Sequence, residues 1–187
     1  MCLRMFLEKL KKSPSDLILL IVAAIGIVIL LTVNIFIFEP LAKAVYFYGI
    51  LDFEFAWTKG QALTILTTWG PLGTALEVQG VYWDFLYIFG YVVPLFALIL
   101  FLSRKFENRT VTIGLYMSLT PVIAGIFDFI ENFNLLIMLN DTPNFASFVP
   151  LLASISATIK FGFLLVGAIF FLIAIGLFIF QKLKKKN

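Results

Sequence analysis

Four runs of apolar residues dominate the chain, and each is long enough to cross a hydrocarbon core of about 30 Å. With their flanks they cover about residues 17–38, 74–103, 110–140 and 148–181. A backbone in lipid must satisfy its own hydrogen bonds, so runs of this kind become helices. The expected fold is therefore all-α: a polytopic four-transmembrane-helix bundle, one domain over residues 1–187, with an outer segment at 39–73. The first run is too long and too weakly terminated for a cleaved signal peptide and is read as a retained helix.

Composition agrees. The chain is 61% hydrophobic and 13% charged, with a mean hydropathy of +1.04, far from the balance of soluble domains. It contains no His and one Cys, Cys2, which removes the usual nitrogen and sulfur ligands of zinc, haem and iron–sulfur centres. Neither a metal nor another cofactor is expected, an internal disulfide is excluded, and so is a Cys–His nucleophile. No lipobox-like pattern precedes Cys2, so it is read as unmodified.

Charges between the runs set the expected orientation in a cell membrane. Before the first run Arg4, Lys9, Lys11 and Lys12 outweigh Glu8 and Asp16. Arg104, Lys105 and Arg109 outweigh Glu107 between the second and third, and the tail carries Lys182, Lys184, Lys185 and Lys186. These segments, and both termini with them, are expected in the cytoplasm. Segment 39–73 and its flank are acidic, with Glu39, Asp52, Glu54 and Glu77 against Lys43 and Lys59, and are expected outside. The net charge of +3 is spent on this topology, and no nucleic-acid partner is expected.

Within the outer segment Thr58-Lys59-Gly60-Gln61 has capping-box spacing, and Ala62, Leu63, Ile65, Leu66 and Trp69 recur at helical intervals. This predicts a short amphipathic helix on the outer surface, with Trp57 and Trp69 at headgroup level. Gly70-Pro71 breaks it. Thr74-Ala75-Leu76-Glu77 offers a second capping box, which predicts that the second spanning helix starts near Thr74.

Charge inside the spans is the functional signal. Asp84 on the second span, Asp128, Glu131 and Asn132 on the third and Lys160 on the fourth all fall about 14–18 Å below the outer helix ends at about 1.5 Å per residue. Asp128, Glu131 and Asn132 stand at i, i+3 and i+4 on one face with Pro121, Ala124 and Gly125. Asp84, Tyr87 and Tyr91 share a face of the second span, and Ala153, Ser156, Ala157, Lys160, Leu164 and Gly167 share one of the fourth. Faces this small and polar suit a packed interior, and together they predict a polar nest in which three carboxylates surround one lysine. An isolated charge at the bilayer centre costs about 2.5–3.5 kcal/mol even on the gentlest scale, so the group needs pairing, water or protonation. A bland reading competes with a functional one: an Asp–Lys pair can fix helix register and nothing more. Tyr87 and Tyr91 read first as packing aromatics. Glu54 and Trp69 read as surface or interface residues, with a lid over the nest as the sharper alternative.

The chain resembles a family of small, functionally uncharacterised prokaryotic membrane proteins. The resemblance is carried by Leu51-Asp52-Phe53-Glu54-Phe55-Ala56, Trp69-Gly70-Pro71, Asp84-Phe85-Leu86-Tyr87, Ala157-Thr158-Ile159-Lys160-Phe161 and, most distinctively, the block from Pro121 to Asn132 with the pattern P-x-x-A-G-x-x-D-x-x-E-N. It implies that the outer segment and the charged nest belong to one device, and it names no activity.

Three functions fit these residues. The first is binding or transport of a cation, a proton or the polar end of a lipid-like molecule; so small a chain would then be expected to work as a homodimer. The second is an enzyme using Asp128 or Glu131 as general acid or base on a lipid, although no Ser elbow, metal triad or nucleotide loop accompanies them. The third is an accessory or assembly subunit of a larger membrane complex, with the nest as a fold lock. Membrane lipids are partners in all three.

Overall fold

The computed structural model describes residues 2–45 and 47–184. Lys185 and Lys186 of the basic tail lie outside the described residues. The described residues form helices and no strand: α1 (Cys2–Leu10), α2 (Asp16–Val33), α3 (Glu39–Ala44), α4 (Ile50–Glu54), α5 (Lys59–Ser103), α6 (Asn108–Met117), α7 (Thr120–Asn140) and α8 (Val149–Lys184). A π-helical turn at Asn34–Phe38 joins α2 to α3. Four stretches are long and apolar enough to cross a membrane: Asp16–Ala44, Lys59–Ser103, Asn108–Asn140 and Val149–Lys184. Side chains such as Ile25, Val28, Phe36, Leu165, Leu172 and Phe180 stay exposed on their outer faces, which is stable only against lipid.

The first span runs past Phe38 to Ala44. Pro40 stands in the first turn of α3 and would remove a helical hydrogen bond, and the π turn just before it takes up the irregularity, with the Glu39 amide donating to Asn34 O. The amphipathic helix starts at Lys59, where the Thr58 side chain caps the Gln61 amide, and leads into the second span across a kink. The break falls at Gly70, whose φ of 65° only glycine adopts freely, and Pro71 follows where a missing N–H costs least. The third span has a short interruption between α6 and α7, where Ser118 and Leu119 form a turn.

Small residues bring the helices together. A Cβ on Gly90 would lie 2.9 Å from Leu30 N, and one on Gly26 would meet the Pro94 ring at 2.5 Å, so spans one and two touch backbone to backbone. Gly167 makes the same allowance for Thr120, and Gly125 for Val92.

At the end holding α1, the Arg104 guanidinium donates to Leu10 O at 2.8 and 2.5 Å and to Pro14 O at 2.6 Å, and pairs with Asp16 at 3.1 Å. Lys105 reaches the same carboxylate. Leu7 and Leu10 bury the apolar side of α1 against Leu19, Ala97, Leu100 and Leu115. At the opposite end, Phe53, Trp69, Leu135, Met138, Phe145 and Ala153 form a separate apolar cluster. Lys59 ties that end together by donating to Phe145 O at 2.7 Å.

Candidate functional site: a buried lysine among carboxylates

Directly beneath that apolar cluster lies the polar group. On α8 the stripe Ala153, Ser156, Ala157 and Gly167 is buried, and its small side chains leave room for the one long member, Lys160, 6% exposed. The facing side of α7 buries Pro121, Ala124, Gly125, Asp128, Glu131 and Asn132 as a continuous stripe. Both stripes are rich in small residues, and Lys160 of one meets Asp128 and Glu131 of the other.

Lys160 Nζ lies 3.0 Å from Asp128 Oδ1, 2.9 Å from Glu131 Oε1 and 2.8 Å from Glu131 Oε2. The last contact is an ion pair at an angle that carries no hydrogen bond, which leaves Oε2 buried without a donor among the described residues. Glu131 is fully buried and Asp128 is 3% exposed. Asp128 Oδ2 accepts from the Tyr91 hydroxyl at 2.7 Å, so Tyr91 is a hydrogen-bonding member of the cluster as well as a packing aromatic. Tyr87 packs edge-on to Phe38 at 5.0 Å and makes no side-chain hydrogen bond among the described residues.

The third carboxylate on the lysine is Glu54, at 3.4 Å from Nζ. It comes from the segment between the first and second spans, and it is buried, not a surface residue. Local chemistry holds it there. Gly49 opens the turn of α4 and the Asp52 side chain accepts from its amide, while Ser154 Oγ donates to Glu54 O at 2.7 Å and accepts from Trp57 N at 3.0 Å. Burial pushes the Glu54 carboxyl above the usual carboxylate range, against the pull of the Lys160 ammonium.

Asp84 does not reach Lys160. It accepts from Asn132 Nδ2 at 2.7 Å, and Glu54 occupies the place beside the lysine that the second span was expected to fill. Trp69 is likewise buried and away from the charges: its indole donates to Tyr48 O at 2.8 Å and its ring packs on Phe53 at 5.0 Å. It fastens the 47–50 loop. Trp57 is 41% exposed.

Beside the lysine cluster is a cavity of about 320 Å³. Phe38, Leu41, Val45, Val81 and Leu135 give it apolar walls, and Glu54, Glu77, Asp84 and Asn132 give it a polar side. Glu77, 3% exposed, is a member that the sequence reading passed over. Its spacing held the signal, since Glu77, Val81, Asp84, Ile88 and Tyr91 recur at helical intervals on one face of α5. Among the described residues no set of three or more acidic, His or Cys side chains is arranged to hold a metal ion. The arrangement can bind positive charge and share protons among carboxyls.

No family model, curated protein or solved structure matches the chain.

Proposed function

We propose that this is a membrane binding or transport protein whose nest receives a cation, a proton or the polar end of a lipid-like molecule. One observation carries the reading: a single buried ammonium is shared by Glu54, Asp128 and Glu131, while Glu77 and Asp84 line a cavity beside it. A register lock needs one carboxylate per lysine. Five acidic side chains around one cation leave negative charge in a low-dielectric interior, and that charge is relieved by an incoming positive group or by protons. The cavity has the mixed character of a small-molecule site, apolar walls with a few convergent polar groups. In the orientation we propose, with both termini cytoplasmic, the cavity lies in the outer half of the cell membrane.

Native mass spectrometry of the full chain released from its own membranes in mild detergent tests the reading. The wild type should retain a small-molecule adduct that Asp128→Asn and Glu131→Gln lose. A wild type that carries nothing, or an adduct equally retained in both variants, would favour the fold lock and the accessory-subunit reading with it.

A further inference from the structure

The cavity also defines the chemistry of its occupant. Glu77 is 3% exposed, lines the cavity, and makes no hydrogen bond or ion pair among the described residues. Asp84 spends one oxygen, Oδ2, on Asn132, and its other oxygen has no donor among the described residues. Lys160 cannot serve these two, because its ammonium is already divided among Glu54, Asp128 and Glu131. Glu77 is a buried carboxylate with no donor, and the half-buried Asp84 turns a second, partly unpaired one to the same side of the cavity; together they suit a group that brings positive charge and several N–H donors at once.

On the binding reading above, we infer that the cavity takes a primary-amine amphiphile, its ammonium held by Glu77 and Asp84 and its hydrocarbon laid against Phe38, Leu41 and Val45.

A protonated primary amine supplies one positive charge and three donors, which suits two acceptor-only carboxylates. A bare divalent cation would need about six oxygen ligands, but Glu54 is held by Lys160 and Asn132 by Asp84, and the walls at Phe38, Leu41, Val45 and Val81 are hydrocarbon. A quaternary ammonium has no N–H to give and is usually recognised by stacked aromatic faces instead. At about 320 Å³ the cavity is at the small end of ligand sites, enough for a headgroup and the first part of a chain. Its lining includes Phe47, which is 92% exposed, so the cavity reaches the molecular surface there.

The test uses the full chain in maltoside micelles with octylamine as probe and octanol and octyltrimethylammonium as controls, read by the shift in unfolding temperature and by adduct mass. Octylamine should stabilise the wild type and the two controls should not. Glu77→Gln should raise the unfolding temperature of the ligand-free protein, because it removes an unpartnered buried charge, while weakening octylamine about tenfold or more. Asp84→Asn gives a second variant with the same expected loss if Glu77→Gln does not fold. Equal stabilisation by octanol or octyltrimethylammonium, or unchanged octylamine affinity in the variants, overturns the amine assignment and leaves the natural adduct of the binding reading in place. Absence of any natural adduct from the wild type, with octylamine still bound through Glu77, removes the physiological reading and keeps the chemistry of the cavity.

Discussion

Lys160 on the fourth span and Glu54 in the non-spanning segment stand 3.4 Å apart, joining two parts of the chain separated by 106 positions in a single buried ion pair. The segment between the first two spans is thereby part of the buried charge cluster. Whatever binds beside Lys160 also meets a side chain whose position depends on the folding of the 47–58 loop.

Removing the lysine alone should be far more harmful than removing it together with Asp128 and Glu131. Lys160→Met leaves Glu54, Asp128 and Glu131 without their cation and should destabilise the protein by about 3–5 kcal/mol, measured by unfolding in detergent. Adding Glu131→Gln and Asp128→Asn should recover much of that loss. A triple variant no more stable than Lys160→Met would show that the pairing contributes little.

Tyr91→Phe keeps the ring and deletes only the hydroxyl that donates to Asp128 at 2.7 Å. Loss of a hydrogen bond to a charged group should lower stability by about 1.5–3 kcal/mol. Tyr87→Phe, which removes a hydroxyl with no bond among the described residues, should change it much less, and the same unfolding assay compares the two.

Ser154→Ala leaves the Trp57 amide and the Glu54 carbonyl without their shared partner. Two orphaned backbone groups should loosen the segment, at about 1–3 kcal/mol for each that stays buried. Hydrogen exchange should rise across residues 50–58 and stay unchanged in α2. Equal protection in both proteins would show that the segment is held by its apolar contacts alone.

Orientation is tested separately. Reporter fusions within Glu107–Arg109 should be cytoplasmic, and a tag near Asn144 should be reached from outside. Labelling of Asn144 from the cytoplasmic side would reverse the placement of the cavity.

Much of this architecture is legible in the residues themselves. The i, i+3, i+4 spacing of Asp128, Glu131 and Asn132 and the small-residue stripe leading to Lys160 set the faces that meet, and counting rise along the helices set their common level. Azimuth between helices has no such signature. For that reason Asp84 could be put in the right layer and still be given Lys160 as a partner, where the structure gives it Asn132. Glu54 was hidden because periodicity places a residue on a helix face and cannot say where a loop folds back. Glu77 was hidden by a competing local pattern: Thr74-x-x-Glu77 reads as a helix start, whereas the helix already runs from Lys59 and resumes after Gly70, which leaves Glu77 in its interior facing the cavity.

The most direct test of the binding account is an experimental structure of the wild-type protein in lipid nanodiscs at a resolution that shows side chains and ordered ligands. It should find Lys160 Nζ in contact with Glu54, Asp128 and Glu131, and ordered density for a bound molecule between Glu77 and Asp84. A Lys160 side chain turned toward lipid, with the space between Glu77 and Asp84 closed by packed side chains, would contradict it.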